Sequence, residues 1–134
     1  MKIDVHLQLN GVNIEKVAPI FVEAFSSNSN LEVDVFPRLK SNGFGVVFVS
    51  SSQRTATGAI RDIIAACPKR LFSKAWRSKM AIQCVISVLI VSNKKSLDLE
   101  LGSEEVALAA SIGGSIEFGL VSNEEFRKYK RALS

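Results

Sequence analysis

Histidine occurs once in this sequence, at His6, and cysteine twice, at Cys67 and Cys84. One histidine and two separated cysteines cannot assemble a structural zinc site, and without a CxxC pair there is no thiol-redox motif. Two cysteines in apolar surroundings are expected as buried, reduced thiols, which fits a reducing compartment. Long apolar runs are also missing. The longest, Met80 to Val91, is interrupted by Gln83 and Ser87 and falls short of the roughly twenty residues that a membrane helix needs. The opening Met1-Lys2-Ile3-Asp4 alternates polar and apolar residues, unlike a signal peptide, so a cytoplasmic protein without membrane association is expected. GxSxG, HExxH and the phosphate-cradling lysine loop are absent. Gly43-Phe44-Gly45 lacks the third glycine of a dinucleotide fingerprint, and Gly113-Gly114 leads from helix into strand, the wrong direction for holding phosphate. These absences predict no enzyme activity, no cofactor and no metal.

What is present is an ordinary globular balance, 47% apolar and 22% charged over 134 residues. That predicts a single domain spanning residues 1–134. The net charge of +4 is localised. Lys69, Arg70, Lys74, Arg77 and Lys79 lie in one acid-free segment that carries more than the whole excess, so the remainder of the chain is close to neutral.

Residues 2–10 alternate, with Ile3, Val5, Leu7 and Leu9 on one register and Asp4, His6, Gln8 and Asn10 on the other. This predicts a strand with one buried face and His6 facing solvent, close enough to Asp4 for a contact. Val17, Ile20, Phe21, Ala24 and Phe25 form a helical stripe, with Asn13 as the expected N-cap and Pro19 marking a kink or a late start. Leu31 to Phe36 and Phe44 to Ser50 read as a hairpin around Asn42-Gly43. A helix over 55–67, capped by Thr55 or Thr57, ends at Pro68. Strands are expected over 80–91, 97–101 and 116–120, with a helix from Ser103 between the last two. Ser122 and Glu125 make a capping box, with Val121 and Phe126 at the staple positions of a final helix. The expected fold is a single α+β domain in the order β-α-β-β-α-β-β-α-β-α. A mostly antiparallel sheet of about six strands would pack against three to four helices. Its first six elements have the order of a split-βαβ, ferredoxin-like arrangement.

Within the basic segment, Leu71, Phe72, Ala75 and Trp76 recur at the spacing of one helical face, with Lys69, Arg70, Lys74 and Arg77 opposite. This reads as a capping helix with Phe72 and Trp76 turned inward and the cations left on the surface. It also reads as a recognition surface, because Trp and Arg are enriched at binding hot spots. The candidate partner-binding residues are Lys69, Arg70, Lys74, Trp76, Arg77 and Lys79. The aromatic residues elsewhere occupy core-like positions, and no strand carries an aromatic RNA-binding motif. That favours a protein partner with an acidic face over nucleic acid.

The opening strand with Val12-Asn13-Ile14-Glu15-Lys16 resembles a bacterial family of small single-domain proteins of unknown function. So does the closing run of Leu97-Asp98-Leu99-Glu100-Leu101, Ser103-Glu104-Glu105 and Gly113-Gly114-Ser115-Ile116-Glu117-Phe118. The likeness extends over about residues 2–121, and its layout is similar to that of immunity proteins of polymorphic and contact-dependent toxin systems. The resemblance implies a non-enzymatic protein that binds and neutralises a toxin domain, and the basic segment implies an acidic docking face on that toxin. The alternatives are a basic nucleic-acid-binding module and an enzyme without a recognisable motif.

Overall fold

The alternation at the start of the chain becomes β1 (Lys2–Gly11), the axis of the sheet. The computed structural model describes residues 2–36, 45–53, 55–91, 102–122, 124, 125, 127, 128 and 131. In it β1 pairs antiparallel with β3 (Gly45–Ser51) on one side and β4 (Gln83–Val91) on the other. β2 (Leu31–Phe36) pairs antiparallel with β3, and β5 (Ser115–Val121) runs parallel to β4. The resulting order, β2-β3-β1-β4-β5, contains the split-βαβ arrangement in its first four strands. β5 is an addition. A parallel neighbour needs a crossover rather than a hairpin, and the helix α4 (Ser103–Ser111) lies in that connection.

Helices α1 (Ile14–Ser26) and α2 (Ala56–Ala66) cover one sheet face. The stripe of α1 buries Val17, Phe21 and Phe25 against Val5, Leu7 and Leu9 of β1 and Val47 and Val49 of β3. Pro19 lies inside α1 on its exposed side, so the bond it cannot donate to the Glu15 carbonyl is lost where water can replace it. Of the two threonines the sequence offers, Thr55 caps α2, accepting from the Gly58 amide at 3.1 Å. Asn13 occupies the N-cap position of α1 as expected but makes no side-chain capping bond; its side-chain amide donates instead to the Met80 carbonyl at 3.2 Å. That bond ties the start of α1 to a segment far along the chain. The capping box is present as two reciprocal bonds, Ser122 N to Glu125 Oε2 at 3.1 Å and Glu125 N to Ser122 Oγ at 3.2 Å.

Several expectations need revision. Among the described residues the sheet has five strands rather than about six. The strand expected over 97–101, the turn at Asn42-Gly43 and the staple residue Phe126 lie outside the described residues. β4 begins at Gln83, because Met80 closes a preceding helix.

His6 is the clearest correction. Its side chain is 0% exposed. With the proton on Nδ1 the ring donates to Asp4 Oδ2 at 3.3 Å, and it stacks on Phe48 with centroids 4.3 Å apart. Alternation separates the two faces of a strand but does not say that one of them meets water. β1 is a central strand, and its polar register lies beside buried Val46 and Phe48 of β3 and buried Ser87 of β4.

Candidate functional site: the basic face around α3

The basic segment is not one helix. Residues Lys69–Phe72 form a 3-10 turn, Ser73 is extended, and α3 runs from Lys74 to Met80. Ser73 is the N-cap of α3, its Oγ accepting from the Trp76 amide at 3.2 Å. This break overturns the single face expected of Leu71, Phe72, Ala75 and Trp76. An extended residue between two helical turns resets the angular phase, so Leu71 is fully buried while Phe72 is 42% exposed. Ala75 is exposed as well. Trp76 is half-buried against the core, its ring edge-on to Phe21 at 6.2 Å and 80°. Of the two aromatic residues here, Phe72 is the more exposed.

Arg77 is also not the free surface cation that the sequence suggests. It is half-buried, and its Nη1 donates to the Leu71 carbonyl. On its other side it packs over Gly113, where an added Cβ would sit 2.8 Å from Nε. Gly113 has a φ of +66°, so glycine serves both the backbone turn between α4 and β5 and the space for the guanidinium. Arg77 thus joins the 3-10 turn to the α4–β5 turn. The far end of α3 is fixed by the Asn13–Met80 bond and by Gly11, whose missing Cβ would come within 2.7 Å of the Ala81 carbonyl oxygen.

Ala81 ends α3 in the left-handed conformation, φ 53° and ψ 46°, which glycine adopts without a side-chain penalty. Ala81→Gly is therefore expected to stabilise the fold by about 0.5–1 kcal/mol, read as a higher urea midpoint.

The remaining cations, Lys69, Arg70, Lys74 and Lys79, are exposed. None of them makes an ion pair among the described residues. Arg61, in contrast, meets Glu104 at 2.9 Å and Glu105 at 3.3 Å, and Lys128 meets Glu124 at 3.5 Å. Four neighbouring like charges repel one another, a cost that salt screens and an acidic partner would reverse. Beside them lies a cleft of about 480 Å³, lined by Lys74, Arg77 and Ser78 of α3, by residues 81–83 and by Gly113. A second groove of about 210 Å³ shares Ala81 and Gln83 with it and continues to Asn10, Gly11 and Val12. Among the described residues, two cations, a hydroxyl and an amide line the cleft, without a carboxylate or imidazole. This set accepts an anion and offers no general base. Among the described residues no group of histidine, cysteine and acidic side chains could hold a metal ion, and no helix is long and apolar enough to cross a membrane.

Cys67 and Cys84 are both buried and unlinked. Burial, and then the neighbouring Cys84, pushes the Cys67 thiol up to about 12. Burial pushes Cys84 up to about 11, with Arg77 pulling the other way. Both folded values exceed the ordinary 9.0, so the unfolded chain loses these protons first. The stability that the neutral thiols contribute is complete below about pH 9 and declines as pH rises towards 11. Urea unfolding is expected to show that alkaline decline, and the Cys67→Ala/Cys84→Ala variant a shallower one.

The sequence places Lys69, Arg70, Lys74 and Lys79 on the surface, and all four are exposed in the structure. It draws Trp76 and Arg77 inward and adds Phe72, Ser78 and Gln83, which sequence reasoning did not select. Ser73 was the available signal, since a serine amid helical spacing is a ready N-cap. No family model, curated protein or solved structure matches the chain.

Proposed function

We propose that this is a non-enzymatic binding protein of the immunity type, which docks its basic face on an acidic face of a bacterial toxin domain and neutralises it. The observation that carries the reading is the set of four exposed cations without acidic partners among the described residues, mounted on a segment tied at both ends. Binding through a segment already held in place loses little conformational entropy. The charge would steer the encounter, and Phe72 would supply an aromatic contact among the cations. The likeness of layout to immunity proteins supports the same reading.

The test is co-expression with the product of the gene immediately upstream, which this reading predicts to carry a toxin domain. Restored growth and a stoichiometric complex are the expected results. Absence of both would overturn the reading.

The same unpaired cations favour a second reading, a nucleic-acid-binding module. Counting only the exposed cations Lys69, Arg70, Lys74 and Lys79, four phosphate contacts are available. Duplex binding through them would weaken with a log–log salt slope of about −3.6. No detectable complex with DNA or RNA at low salt removes this reading.

A further inference from the structure

We infer that the cleft beside α3 takes an extended acidic segment of the partner, one in which a carboxylate is followed by an apolar side chain. This rests on the docking reading above and specifies which part of the partner is recognised. The two abutting grooves form one track, with cations at one end and apolar surface at the other.

At the charged end, Lys74 is exposed and the Nε edge of Arg77 lies against Gly113, itself a lining residue. One guanidinium donor is used on the Leu71 carbonyl, and a guanidinium has five. A carboxylate seated there would meet a half-buried cation, where charge-assisted hydrogen bonds are strongest. Among the described residues no acidic side chain lines either groove.

At the other end, Val12 is 62% exposed, and Ala81 continues the apolar surface between the two grooves. A lone exposed valine is ordinary. Here it extends a cleft that already selects an anion, and Asn10 and Gln83, cross-strand neighbours in β1 and β4, offer amides for the main chain of an extended peptide. A bare phosphate would leave the apolar end empty. A peptide segment with both chemistries fills the track.

The test uses two fluorescent hexapeptides, one all glutamate and one alternating glutamate with leucine, titrated into the intact protein at low salt. The alternating peptide is expected to bind about tenfold more tightly, the worth of burying one leucine side chain. Ser78→Trp, which fills the cleft from an exposed position on α3, should erase that preference. Val12→Glu should erase it from the other end and serves if the tryptophan variant does not fold. Lys69→Glu/Arg70→Glu, outside the cleft, should weaken both peptides alike. Equal binding of the two peptides, or a preference that survives both cleft variants, would overturn the cleft assignment while leaving the basic face as a docking surface. Failure of both peptides to bind would overturn both.

Discussion

Trp76→Ala is expected to lower stability by about 2–4 kcal/mol. Truncating a fully buried tryptophan costs about 3–5 kcal/mol through lost transfer energy and the cavity left behind. Trp76 is half-buried, so the lower part of that range applies, with the edge-on contact to Phe21 adding to it. Phe21 is itself fully buried in the core beneath α1. The loss therefore loosens the attachment of α3, not only its surface. In a domain of this length each kcal/mol shifts the melting temperature by about 3–5 °C, so a drop of roughly 6–20 °C is expected. A shift below about 2 °C would mean that Trp76 contributes little packing and is available for recognition. Phe72→Ala is the contrast, since at 42% exposure it should leave the melting temperature nearly unchanged.

His6→Ala is expected to cost about 2–4 kcal/mol, although nothing in the sequence marks His6 as a core residue. The substitution removes a fully buried ring, its stacking on Phe48 and one hydrogen bond to Asp4, whose side chain is only 10% exposed. Deleting a buried ring leaves a cavity, and weakening the bonding of a buried carboxylate adds a desolvation cost. Urea unfolding measures the loss. A cost below about 0.5 kcal/mol would place His6 on the solvated surface after all.

These two residues show where sequence reading reached and where it stopped. The order of the first five elements, the β2–β3 pairing, the threonine cap of α2 and the Ser122–Glu125 capping box were all legible, because each depends on nearby residues. The expected order left out the 3-10 turn and α3 that precede β4. Burial of His6 was not legible. Alternation assigns a side chain to a face, and whether that face is covered depends on strands distant in sequence, here β3 with Phe48 and β4 with Ser87. The basic segment was legible as a cluster of charge but not as a surface. One extended residue, Ser73, turns Phe72 outward and leaves Trp76 on Phe21. The inward role of Arg77 depends on the Leu71 carbonyl and on Gly113, which only the folded chain brings to it.

The central claim is that Lys69, Arg70 and Lys74 dock an acidic protein face. Its most direct test is the affinity of the Lys69→Glu/Arg70→Glu/Lys74→Glu variant for the product of the gene immediately upstream, the partner this reading predicts, measured beside the unaltered protein. All three side chains are exposed and without ion-pair partners among the described residues, so the fold should keep its melting temperature within a few degrees. Each reversal replaces an attraction by a like-charge contact, and together they are expected to weaken the complex by about a hundredfold or more. An affinity unchanged within threefold, in a variant that remains folded, would contradict the account.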